Sequence, residues 1–109
     1  MGHLERAHRT VRGMVKVLRK HYRPQRIIMF GSLASGRWRK DSDIDLLIVK
    51  RTSVPFYQRM AEVRALVSDA RQGFPFDPII LTPTEVRRRL ARGDQFVAGV
   101  LAKGKVLHG

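Results

Sequence analysis

Three short apolar runs limit the folds open to this chain: Arg26 to Phe30 (RIIMF), Ile44 to Lys50 (IDLLIVK) and Phe76 to Leu81 (FDPIIL). Each is too short to be a core helix, each is rich in branched apolar residues, and each is bounded by turn-forming residues, the pattern of buried strands. Pro78 has no N–H to give to a ladder, so the third run belongs at a sheet edge or a strand start. Between the runs the apolar spacing changes to three and four residues. Leu4, Ala7, Val11, Met14, Leu18 and Tyr22 form a helical stripe over His3 to Tyr22, closed by Pro24. A second stripe, Phe56, Met60, Val63, Leu66 or Val67, and Ala70, predicts a helix from about Pro55 to Arg71. Leu33 to Ser35 suits a single helical turn, followed by a basic loop from Gly36 to Ser42.

The tetrapeptide Thr82-Pro83-Thr84-Glu85 has the order of a capping box with proline in the first turn, predicting a helix to about Arg92. Asp94 can cap a last helix that reaches Ala102 or Lys103 and stops at Gly104, and Lys105 to Leu107 can add a short final strand. Strands alternating with helices define an α/β or α+β class, a small mixed β-sheet flanked by helices. A length of 109 residues suits one domain spanning 1–109.

Composition excludes some chemistries. There is no cysteine, hence neither a disulfide nor a thiolate metal site. No apolar run approaches a membrane span, and MGHLERAHRT holds no hydrophobic signal core, so a cytoplasmic protein without a membrane partner is expected. Lys and Arg number 22 against nine Asp and Glu, a formal net charge of +13. Such a surface attracts phosphates, nucleic acid or an acidic partner, although Arg spread over solvated helix faces gives the same total. Few aromatic residues interleave with the charge, so nucleic acid, if bound at all, would be held nonspecifically.

Against that background the acids are unevenly spent. Asp41, Asp43 and Asp45 fall within five residues at the front of the second run. Strand alternation puts Asp43 and Asp45 on one face, with Ile44 and Leu46 on the other. Neighbouring carboxylates repel, and a divalent cation relieves the repulsion; magnesium takes one or two carboxylates and completes its shell with water and phosphate oxygens. A polar strand entry in which Ser42 and Asp43 shape a turn is the structural alternative. Gly31 and Ser32 come directly off the first run at the start of a helical turn, where free N–H groups can meet a phosphate. Asp77 is a third carboxylate, in the third run, and Asp-Pro can equally mark a turn.

The stretch GSLASGRWRKDSDIDLLIV, with Asp77 after it, resembles the signature of the nucleotidyltransferase superfamily that includes DNA polymerase beta and kanamycin nucleotidyltransferase. That signature is Gly-Ser, ten residues, Asp-x-Asp and a later strand Asp, and Gly31, Ser32, Asp43, Asp45 and Asp77 occupy its positions in order. In size the chain looks like the minimal nucleotidyltransferases, the MntA-like antitoxins. The resemblance implies two Mg2+ ions held by Asp43, Asp45 and Asp77, ATP as nucleotide donor, and phosphate binding by Gly31 and Ser32. Ser35 stands where relatives often carry Arg, and Arg37 is the residue that could replace it. The resemblance further implies Asp77 as the group that draws the proton from an acceptor hydroxyl, and a HEPN-domain toxin whose tyrosine receives AMP. A chain of this length has no room for a separate acceptor-holding domain. A non-catalytic binding module of the same fold and a basic nucleic-acid-binding protein are the alternatives.

Overall fold

Apolar spacing, proline and glycine divide the chain much as expected, and the computed structural model describes residues 2–109. The elements are α1 (His3–His21), β1 (Arg26–Phe30), α2 (Gly31–Ser35), β2 (Ile44–Val49), α3 (Phe56–Leu66), β3 (Phe76–Leu81), α4 (Pro83–Ala91), α5 (Gln95–Lys103) and β4 (Lys105–His108). The strands form one sheet in the order β3-β2-β1-β4. β1 runs antiparallel to β2 and β4, whereas β2 and β3 are parallel. The sheet is therefore mixed, and the expected α+β class with helices against a small sheet is what the chain adopts. β3 is an edge strand, where Pro78 is tolerated because one side of the strand needs no donor.

Strand alternation gives the sheet two apolar faces. Ile27, Met29, Ile44, Leu46, Ile48 and Ile80 pack against α1 and α3. Ile28, Leu47 and Leu81 pack against Val97 and Val100 of α5. Each fully buried Ile, Leu or Met contributes about 1.5–3 kcal/mol, so the first face, which holds most such residues, dominates stability. The second layer is thinner, since α4 has no buried residue and Leu90 and Phe96 are exposed. α4 is instead held at its start. The Thr82 hydroxyl accepts the Glu85 N–H at 3.1 Å, and Glu85 Oε1 accepts the Thr82 N–H at 2.8 Å. At the end of α5 a Cβ on Gly104 would sit 2.6 Å from Ile28 Cγ2, so glycine is what lets this helix end directly on β1.

The third helix departs from expectation. It ends at Leu66 rather than near Arg71, and residues 67–73 continue as turns. Ser68 N–H bonds to the Ala65 carbonyl and Gln72 N–H to that of Asp69, three residues back, which tightens the chain beyond a regular helix. The buried residues are also different. Phe56 and Leu66 are exposed, while Arg59, Val63 and Val67 face inward. Arg59 is only 5% exposed. Its guanidinium donates to the carbonyls of Val54 (2.7 Å) and Ile80 (3.1 Å) and grips both oxygens of Glu85, the nearer at 2.6 Å. A single side chain thus ties α3 to the end of β3 and the cap of α4.

Candidate active site

The registers of three strands assemble the acids. Phe30, the last residue of β1, is paired with Asp45 of β2, and Asp45 with Asp77 of β3. Paired residues on adjacent strands project to the same face, so Phe30, Asp45 and Asp77 form a row across the sheet. The row lies on the α5 side, away from buried Ile44 and Leu46. Adjacent strands are about 4.8 Å apart, which makes Asp45 and Asp77 immediate neighbours. Asp43 lies one residue ahead of β2 and is exposed. The following N–H, that of Ile44, is bonded to the Pro75 carbonyl at 2.7 Å, which anchors the strand entry beside Asp43. Asp41 is exposed in the loop.

Gly31 closes the site from the β1 side. Its φ of +75° is left-handed, and a Cβ there would overlap Oδ2 of Asp45. The turn that begins α2 therefore lies directly against the carboxylate, a separation that no side chain could share. Gly31→Ala is expected to cost about 1–3 kcal/mol and to displace Asp45; urea denaturation measures the first effect and a crystal structure of the variant the second. Ser32 follows in α2 and is half-buried. The Arg37 N–H bonds to the Ser32 carbonyl at 2.9 Å as the helix ends at Gly36, and the Arg37 side chain is exposed. Farther along the loop, Trp38 packs on His3 and Phe74, with ring centroids 5.9 and 6.2 Å away. This anchor was not expected from the sequence; the lone tryptophan among Arg and Lys was its only local signal.

Electrostatically the row is an uncompensated negative spot on a basic protein. Among the described residues the ion pairs are Arg59–Glu85 and Arg89–Asp94, and neither includes Asp43, Asp45 or Asp77. Burial first, then repulsion from Asp77 and Asp43, raises the Asp45 carboxyl from 3.8 to about 6. Folding thus costs nothing at this group below 3.8, where both states are protonated; stability falls as pH rises from there through about 6, above which the full cost of ionising Asp45 in place is present. Asp45→Asn should match the wild type near pH ~3, below both values, and exceed it above pH 7 by about 1 kcal/mol, a value reduced for partial exposure to water. Melts of the two proteins in EDTA across that range check it.

The chemistry of the donors fits a hard divalent cation. No group of three or more Asp, Glu, His or Cys residues able to hold a metal ion occurs among the described residues. Magnesium does not require an all-protein cage, because substrate phosphates and water ordinarily complete its shell. Adjacent carboxylates without a basic partner are a suitable anionic fraction of such a shell. Beside the row, between α2 and α5, opens a pocket of about 420 Å3 whose walls include Phe30, Gly31, Ala34, Phe96 and Gly99. Sequence patterning did not indicate it, since its two walls are far apart in the chain.

Comparison with known proteins bears on the family and the fold. The sequence model of the nucleotidyltransferase domain matches residues 11–106. Among solved structures, the chain is similar to a candidate nucleotidyltransferase from Sulfolobus solfataricus at 25% identity, covering 78% of this chain and 75% of that one with a TM-score of 0.59. No curated protein matches the sequence. No helix among the described residues is long and apolar enough to cross a membrane.

Proposed function

This chain belongs to the nucleotidyltransferase domain family, and on that footing we propose that it transfers a nucleoside monophosphate, AMP from ATP, to a hydroxyl acceptor in a magnesium-dependent reaction. The observation that carries the reading is the contact between the Gly31 turn and Asp45, with Asp77 in register beside it. A backbone turn suited to phosphate and a paired-carboxylate site meet at one point. Asp43, Asp45 and Asp77 would hold magnesium, which when bound neutralises phosphate charge and stabilises the entering and leaving oxygens. Gly31 and the Ser32 hydroxyl bind the triphosphate, assisted by Arg37. Asp77, at the edge strand, accepts the proton of the acceptor hydroxyl. The phosphorus–oxygen bond to pyrophosphate breaks as the bond to the acceptor oxygen forms.

The acceptor in this proposal is a tyrosine of a HEPN-domain toxin, with the chain acting as its cytoplasmic antitoxin. Its support is the resemblance of the Gly-Ser and Asp-x-Asp stretch to the minimal nucleotidyltransferases, together with the basic surface. Incubating the protein with a HEPN-domain protein, magnesium and each nucleotide in turn, followed by intact-mass measurement, tests it. A gain of one nucleoside monophosphate on the partner supports the reading; an unmodified partner with every nucleotide refutes it. Asp77→Asn should separate binding from transfer. Calorimetry should show ATP affinity within about threefold of wild type, while transfer falls by about a hundredfold or more.

A further inference from the structure

We propose that the pocket between α2 and α5 is the subsite for the nucleobase of the donor nucleotide, an inference that rests on the function proposed above. Its position is the first argument. Gly31 belongs both to the pocket wall and to the turn against Asp45, so a nucleotide whose phosphates meet that turn has the pocket next to it. Its surface is the second. The walls are mainly hydrocarbon, from Phe30 and Ala34 on one side and Phe96, Gly99 and Val100 on the other. Phe96 meets Phe30 edge to face at 5.3 Å, yet remains 45% exposed. A half-exposed ring beside the pocket can stack on a planar base, and such stacking accepts any base because every base has a π face.

Gly99 supplies the third argument. It lies inside α5 with no left-handed φ, and a Cβ there would meet nothing within 4 Å. Neither backbone conformation nor crowding calls for glycine, which weakens a helix relative to alanine. What glycine does at this position is leave the α5 wall of the pocket recessed. Gly31 and Gly104 are different, since a side chain at either would collide with the protein itself.

The same feature provides the test. Gly99→Leu should fold, because its side chain enters the open pocket, and should exclude a base. Phe96→Ala removes the stacking face. Calorimetry with magnesium compares ATP with inorganic tripolyphosphate, which carries the phosphates without a base, and circular dichroism checks that each variant is folded. Both variants are expected to bind ATP about tenfold more weakly or worse and tripolyphosphate as the wild type does. Unchanged ATP affinity in folded Gly99→Leu overturns the proposal, as does a parallel loss of tripolyphosphate. Equal wild-type affinity for the two ligands also overturns it while leaving the phosphate-binding role of the Gly31 turn intact. A wild type that binds neither ligand overturns the proposed function along with it.

Discussion

Asp45→Asn is expected to reduce magnesium-dependent nucleotidyl transfer by about a thousandfold or more, and Asp43→Asn to reduce it comparably. Asparagine keeps the size of the side chain and removes its charge, so the loss reports on the carboxylate as a cation-holding group. The fold provides an internal control. Asp45 is strained by burial and by its neighbours, and its neutralisation should not weaken the metal-free protein at neutral pH. An inactive variant that is at least as stable as the wild type in EDTA separates chemistry from architecture. Magnesium with ATP should then raise the melting temperature of the wild type, and not that of Asp45→Asn, because a ligand selective for the folded state stabilises it by mass action. Single-turnover transfer and melts with and without magnesium-ATP are the measurements. Wild-type transfer rates in either variant would refute the cation-site reading.

Arg59→Ala should be the most destabilising of these substitutions, lowering the free energy of unfolding by about 3–4 kcal/mol. The buried guanidinium satisfies the carbonyls of Val54 and Ile80 and both oxygens of Glu85. Its removal leaves two carbonyls without this donor and takes the counter-charge from Glu85. The Glu85 end is about one-third exposed, which keeps the expected cost within the lower part of the range for a broken buried pair. Urea denaturation gives the value. The Arg59 hydrogen bond holds the Glu85 carboxyl below its ordinary 4.5. Its contribution to stability is therefore present above about pH 4.5 and is lost as pH falls through the lowered folded-state value. Arg59→Ala should abolish most of this acid sensitivity. A loss under about 1 kcal/mol would show that the pair behaves as an exposed one and that α3 is held by its apolar contacts alone.

Much of the fold was legible because its signals lie within short windows. RIIMF and FDPIIL became strands with the expected ends, and the capping box at Thr82 and Glu85 formed with both of its hydrogen bonds. Asp94 capped α5, and Gly104 followed its end. These are interactions between residues at most a few positions apart, where propensity and side-chain chemistry suffice. Part of the site was legible for the same reason, since alternation along β2 sets Asp45 on the face opposite Ile44 and Leu46. The third helix shows where a local signal misleads. Its stripe could be continued to Ala70, yet the chain tightens after Leu66, and Arg59 takes an inward position in step with Val63 and Val67. A charged residue four and eight positions before two core valines was the available clue. It becomes meaningful only with Glu85, 26 residues away, as its partner.

What the windows could not contain was the pairing of distant segments. Alternation does not say that β2 lies between β1 and β3, nor that its parallel register with β3 puts Asp77 directly beside Asp45. It does not say that the Gly31 turn presses on Asp45, or that Phe96 swings against Phe30 to wall a pocket. Those outcomes depend on which arrangement buries both apolar sheet faces at once while satisfying every strand's backbone groups. That balance is a sum over the whole chain. The residue types that the proposed chemistry needs can therefore be read one stretch at a time, whereas their meeting point follows from packing that no single stretch encodes.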